Sequence, residues 1–426
     1  MNMNKKSIIT ILLVLVAMMG QAQIKCHVVG TVADGVERQT FYIAQQGTAD
    51  YNNKEWKEVN VKDGCFALDI EADKTEMYEI IEDHFQGGHF ALFLLENDTV
   101  RIDITPDDDG ARLEVVAGGP EQEKWLRMQR MSKDIFFQEA EALDHKLDSM
   151  YDNNLLYSEA YNRLMEERKT YDRANPDHVH ALETIYARMA SMKHDKSAYS
   201  PEARKLLIAH DSIEAKIEAW TKAYKAKHPM LYGLLYLESA LRYTYDDVNK
   251  AKPYLDEYHQ LYEHLFAEHP VHQRIAIKER GLRLQPGQPY FDDYEAATVD
   301  GKTVSVGSLY RGRVAIINMW GSWCGPCRAH AKALIPLYEK YHDAGLTVVA
   351  IAREWNMDSF HKAIERDQYP WPTLLDYEDH YGVWEKHANK GGSGKIMLID
   401  RDGTILSVSN DAQELEPLIK KALHLL

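Results

Sequence analysis

The period of the apolar residues changes twice along this chain, and those changes restrict the fold more than any single motif does. From Gln23 to Val116 apolar residues alternate, as in Phe41-Tyr42-Ile43, Cys65–Ile70, Phe90–Leu95 and Val100–Ile104. A period of two turns one face of a strand into a core. Turn residues such as Asp63-Gly64 and Asn97-Asp98 separate the runs. Residues 23–117 therefore predict a small antiparallel domain of β-sandwich-like build. After Gly118-Gly119-Pro120 the period becomes helical. It predicts an all-α region at 118–284, with helices over Glu121–Met150, Leu156–Tyr171, Val179–Met192, Pro201–Lys227, Leu231–Arg242 and Val248–Phe266.

Residues 285–426 differ again. Gln285-Pro286-Gly287-Gln288-Pro289 reads as a linker, and a hairpin turns at Asp300-Gly301. Val314–Met319 and Leu346–Ala352 are continuous apolar runs, of the kind buried on both faces of a sheet. Helices are expected over Cys324–His342, Ser359–Arg366 and Glu414–Leu425. A last hairpin joins Lys395–Asp400 to Thr404–Val408. The order β-α-β-α-β-β-α describes one α/β domain.

Residues 1–22 carry a separate signal. Lys5 and Lys6 precede the apolar run Ser7–Met19, and Gly20-Gln21-Ala22 sets small residues where a signal peptidase reads. This predicts a secretory signal peptide over 1–22. The run is shorter than the roughly 20 residues of a bilayer span; an uncleaved anchor is the alternative. The formal charge of −16 becomes two units more acidic once Lys5 and Lys6 leave. Such a surface repels phosphate backbones, so nucleic acid is not an expected partner. The chain has 4 cysteines. Cys26 shares a strand face with Ile24 and Val28, while Cys65 lies opposite the face of Phe66, Leu68 and Ile70. The alternation expects these two unpaired, with a bridge between them as the alternative.

The other two stand in Trp320-Gly321-Ser322-Trp323-Cys324-Gly325-Pro326-Cys327-Arg328. Dithiol exchange needs a thiolate. Cys324 falls where a buried strand gives way to a helix, whose free N–H groups and positive dipole end favour negative charge. Thiol pKa values in such settings fall to about 3.5–7.5. Cys327 follows one helical turn on, as a resolving thiol must. Pro326 suits a first turn, Gly325 leaves the approach open, and Trp320 and Trp323 offer apolar surface. A zinc half-site is the competing reading of C-x-x-C, but Cys26 and Cys65 lie in another region and do not complete it. Neither metal nor cofactor is expected beyond the dithiol itself.

This run resembles the thioredoxin superfamily, most closely the exported TlpA/ResA-like thiol–disulfide oxidoreductases. Asp300-Gly301-Lys302, Gly345–Ala350 and Leu398–Gly403 are similar too, so the resemblance spans Gln288–Leu426. It implies an α/β thioredoxin-like domain at 285–426, preceded by the β-rich and helical extension that some exported members carry. It implies exchange at Cys324 and Cys327 and protein disulfides or dithiols as partners. A membrane-borne thiol would donate electrons, and the location would be the periplasm or cell envelope. Substrate contact is expected at Trp320, Trp323, Gly325, Pro326, Ser393 and Gly394, with Glu354, Trp355, Trp371 and Pro372 at the rim.

Three positions depart from the family pattern. Gly394 stands where the family has a cis-proline, which is expected to leave a more open pocket. His330 replaces an acidic residue three positions after the second cysteine and is a candidate proton acceptor for Cys327. Asn318 replaces a buried aspartate and cannot take a proton. The reading is an exported reductase of protein disulfides. The alternatives are an interaction protein with a weakly active dithiol and a peroxidase.

Overall fold

The computed structural model describes residues 24–36, 40–47, 56–82, 90–107, 110–171, 178–291 and 293–425. The expected signal peptide lies outside them. The chain opens with β1 (Ile24–Val32), β2 (Phe41–Gln45), β3 (Lys57–Val59), β4 (Cys65–Ala72), β5 (Met77–Glu82), β6 (Phe90–Leu94), β7 (Thr99–Asp107) and β8 (Gly110–Ala117). They form two four-stranded sheets, ordered β4-β1-β7-β8 and β3-β2-β5-β6. Val28, Phe66 and Ile102 from one sheet meet Phe41, Ile80 and Phe93 from the other in one core. The expected all-antiparallel pairing is corrected at one place: β1 runs parallel to β7. Alternation is the same for either direction of a neighbour, so it carries no sign of this. Cys26 faces Ile70 and is buried, Cys65 faces Thr31 and is exposed, and neither is bridged. Burial pushes the Cys26 thiol up to about 11.

Among the described residues seven helices follow: α1 (Pro120–Asp152), α2 (Glu159–Lys169), α3 (Val179–His194), α4 (Pro201–Lys227), α5 (Leu231–Arg242), α6 (Val248–Leu261) and α7 (Val271–Leu282). Ser158 and Ser200 cap α2 and α4 with their hydroxyls. Helices α2 and α3 share a small core of Tyr161, Leu164, Ile185 and Met189. Helix α5 is different, because it is buried almost all round, as a core helix is. Leu234, Leu235, Leu237 and Leu241 belong to a cluster that also holds Met77 and Leu94 of the sandwich and Ala388 of the last domain.

That domain consists of β9 (Glu295–Thr298), β10 (Thr303–Ser305), α8 (Gly307–Tyr310), β11 (Val314–Trp320), α9 (Gly325–Ala333), α10 (Ile335–Tyr341), β12 (Leu346–Glu354), α11 (Met357–Asp367), β13 (Thr373–Tyr377), α12 (Val383–Lys386), β14 (Ile396–Ile399), β15 (Ile405–Val408) and α13 (Ala412–Ala422). Its seven-stranded sheet has the order β10-β9-β13-β12-β11-β14-β15. Strands β11, β12 and β13 are parallel, and β14 is antiparallel to β11. Every residue of β11 is buried. Val314, Ile316 and Trp320 face one core; Ala315, Ile317 and Met319 face the other.

Two expectations need correction here. The single helix expected over Cys324–His342 is split at Leu334 into α9 and α10. Pro336 lacks the N–H that a continuous helix would use, so it begins a second helix instead. Strand β13 was not expected. It is short, follows Pro372 and carries Asp376. That aspartate is fully buried and accepts the N–H groups of Tyr381 and Val383 at 2.8 Å each. A charged residue satisfied by distant backbone looks, in sequence, like a strand end.

Truncating Leu234 to alanine removes packing from the cluster that all three regions share. It should cost about 3 kcal/mol of stability, read as a lower urea midpoint.

Candidate active site at the start of helix α9

Strand β11 ends at Trp320, and Gly321-Ser322-Trp323 turns the chain before α9 begins at Gly325. Cys324 is the N-cap of α9: its backbone is extended, and its Sγ accepts the N–H of Cys327 at 3.3 Å. Pro326 sits in the first turn, where its missing N–H leaves nothing unsatisfied. Cys324 and Cys327 form a disulfide with Cα atoms 5.3 Å apart. The sulfurs thus lie at the positive end of the helix.

Neither sulfur is open to solvent in this oxidised state. Cys324 is 6% exposed and Cys327 5%. Bonded to each other, both lie back against the core that holds Trp320. Around them Gly325 and Pro326 are exposed, and Trp323 is 40% exposed. Trp320 is 0% exposed and packs on Phe360 and Tyr369. It is a core residue, not a substrate contact, because its place in the β11 alternation turns it inward. Trp371 likewise stacks on Tyr369 in the interior.

Gly394 closes the site where the glycine was expected to open it. Its N–H donates to Cys327 Sγ at 3.1 Å. A Cβ at this position would lie 2.0 Å from the Met319 carbonyl oxygen. The absent side chain lets the backbone itself approach both strand and sulfur. Among the described residues no peptide bond is cis. Ser393 is exposed, and its carbonyl accepts Asn389 Nδ2 at 2.5 Å. His330 is half-buried on α9, three residues past Cys327. Asn318 is buried, with no hydrogen-bond partner for its amide among the described residues.

The end of β12 organises the surroundings. Glu354 is buried and accepts the Ser322 N–H at 2.5 Å and its hydroxyl at 2.7 Å. Burial pushes the Glu354 carboxyl up, against those two hydrogen bonds. The Arg353 carbonyl accepts Trp323 Nε1 at 2.9 Å. The Arg353 guanidinium pairs with Asp379, donates to the Lys390 carbonyl at 2.6 Å and lies 4.7 Å over the Trp355 ring. One strand end therefore holds both the turn before Cys324 and the chain leading toward Gly394. Ser322, Trp323, Glu354, Trp355, Asn356 and Ser359 line an open groove of about 450 Å³. Glu354 and Trp355 belong to this groove, beside the turn that precedes Cys324. Arg353 and Asp379 were not anticipated. A charged pair ending an apolar run was the available signal for Arg353, but nothing local pointed to its partner.

Arg328, directly after Cys327, makes two parallel hydrogen bonds to Asp367 at 2.6 and 2.9 Å. Lys332 joins at 3.1 Å and Tyr369 at 3.1 Å. Burial alone would raise the Asp367 carboxyl. The hydrogen bonds and charge of Arg328, with Lys332, outweigh it and hold that carboxyl well below the usual carboxylate range. A carboxyl depressed in the folded state adds stability in full above its unfolded value of about 3.9, and this is lost as pH falls through the folded value. Asp367→Asn should therefore cost about 3 kcal/mol at neutral pH. Urea titrations should show the gap to wild type closing as the solution is acidified below about pH 4.

Comparison with known proteins finds relatives for two parts of the chain. Residues 287–408 match the AhpC/TSA family, and residues 26–125 match a domain of unknown function, DUF4369. Thiol–disulfide oxidoreductase ResA of Bacillus thuringiensis subsp. konkukian is 23% identical over 158 residues, covering 35% of this chain and 85% of the relative. ResA of Geobacillus kaustophilus is 30% identical over 101 residues, covering 24% and 56%. Among solved structures, the thioredoxin domain of a thiol–disulfide oxidoreductase from Bacteroides vulgatus is 23% identical, covers 32% of this chain and 97% of its own, and has a TM-score of 0.30. A secreted Mycobacterium tuberculosis disulfide oxidoreductase is 21% identical, with coverage of 34% and 98% and a TM-score of 0.26. The C-terminal part of this chain is thus similar over residues 287–408 to the AhpC/TSA family, and it resembles the ResA thiol–disulfide oxidoreductases.

Proposed function

We propose that the chain is an exported enzyme that reduces protein disulfides through Cys324 and Cys327. The observation that carries this is Cys324 at the N-cap of α9, bonded to Cys327 one turn on. In the reduced state its sulfur faces helix N–H groups that favour the thiolate. That thiolate attacks one sulfur of a partner disulfide and expels the other as a thiolate. Cys327 then loses its proton, with His330 or water as acceptor, and attacks the Cys324 sulfur. The mixed disulfide breaks, the second partner thiolate leaves, and two electrons have passed to the partner. The chain is left with the Cys324–Cys327 disulfide, and a membrane-borne thiol donor reduces it again.

Trp323, Gly325, Pro326, Ser393 and the backbone of Gly394 border the path to Cys324 in this reading. The dithiol is the sole redox group. The mature chain begins after Ala22, in the periplasm or cell envelope. It comprises the β-rich part at 23–117, the helical part at 118–284 and the redox domain at 285–426. The ResA relatives, named as thiol–disulfide oxidoreductases, support the exchange chemistry.

One observation favours a second reading. Both sulfurs are covered, at 6% and 5% exposure, as suits a binding protein whose dithiol reacts weakly. Trapping separates the two. Cys327→Ser should accumulate mixed disulfides with specific proteins, and capture independent of both thiols would favour the binding protein. Cys324→Ser should reduce insulin at the uncatalysed rate; equal rates for this variant and wild type would remove the enzyme reading. After mild reduction, Cys324 should alkylate with a pH midpoint below the ordinary thiol value of about 8.5. Cys26, its thiol pushed up to about 11, should stay unlabelled at that pH.

A further inference from the structure

The helical region reaches the redox site from outside the thioredoxin-like domain. The turn after α5 carries Tyr245 and Asp246. The Asp246 carboxylate pairs with Lys395 Nζ at 2.9 Å, and the Lys395 side chain is buried. The Tyr245 ring lies over Gly391, so close that a Cβ there would sit 2.9 Å from it. Lys278 of α7 donates to the Tyr245 carbonyl and, at 3.3 Å, to the Ala388 carbonyl. Gly281 of α7 touches the same stretch, since a Cβ on it would meet the Ala388 nitrogen at 2.5 Å.

The loop held this way, residues 391–395, is the one that presents the Gly394 N–H to Cys327 Sγ at 3.1 Å. Lys395 then rejoins β11, accepting the Met319 N–H at 2.9 Å. A buried lysine is costly without a partner, and this partner comes from another region of the chain.

We propose that Asp246, with Tyr245, is a positioning residue for the redox loop, so that the helical region sets the potential of the Cys324–Cys327 pair. The inference rests on the dithiol-exchange reading above. A hydrogen bond donated to sulfur stabilises a thiolate more than it stabilises half of a disulfide. Whenever reduced Cys327 ionises, its sulfur accepts the Gly394 N–H more strongly than the disulfide sulfur does, so the contact favours the reduced pair and loosening the loop makes the pair harder to reduce.

The test equilibrates the full chain with glutathione buffers of graded ratio, alkylates free thiols and counts them by mass. Circular dichroism of each variant runs alongside. Asp246→Asn and, separately, Tyr245→Ala should each shift the equilibrium about tenfold toward the disulfide, a potential about 30 mV more negative. Asp246→Glu should return it to near the wild-type value, which a mere packing defect would not allow. Equilibrium constants within twofold of wild type for both folded variants would overturn the proposal while leaving dithiol exchange intact. A wild-type pair that does not equilibrate with glutathione at all would remove the exchange reading, and this inference with it.

Discussion

The junction between β11 and α9 is the constraint on which the rest of the redox domain depends. A strand buried on both faces has no freedom to shift register, so it delivers Trp320 and the turn after it to one place. A helix start leaves N–H groups unsatisfied, and here a sulfur stands where a hydroxyl or carboxylate usually caps. Chemistry and folding thus use the same atoms. The groups that would otherwise need a cap are those that favour a thiolate at Cys324.

Charged side chains around this junction hold what the backbone leaves loose. Arg328 and Asp367 tie the first turn of α9 to the end of α11. The Glu354 carboxylate, which accepts from Ser322, and the Arg353 carbonyl, which accepts from Trp323, tie the turn before Cys324 to the end of β12, while the Arg353 guanidinium pairs with Asp379. All of these involve buried or half-buried groups, where an ion pair is screened less than at the surface. Farther out, α5 packs one cluster against the sandwich and the redox domain together. The long helical region is therefore not an independent appendage, because its core is completed by residues of its neighbours.

Much of this was legible in the sequence because it depends on near neighbours along the chain. Period two, period 3.6 and continuous apolar runs located the sandwich, the helices and the central strands, since each reports which faces a local segment buries. The Cys-Gly-Pro-Cys run located the dithiol, since N-cap, proline and resolving thiol all fall within one helical turn. Residues that act through distant partners were not legible. The parallel pairing of β1 with β7, the inward turn of Trp320, the buried aspartate of β13 and the Arg353–Asp379 pair each require knowing what lies across a sheet or a domain boundary.

Gly394 shows the division most clearly. From the sequence, only the family resemblance implied that a small, unrestrained residue stands beside the dithiol. From that alone a wider pocket followed. Only the tertiary structure decided that the freed volume is filled by backbone, with an N–H on Cys327 and the Met319 carbonyl where a Cβ would be. The reason is physical: a missing side chain removes atoms, but packing from all sides decides what takes their place.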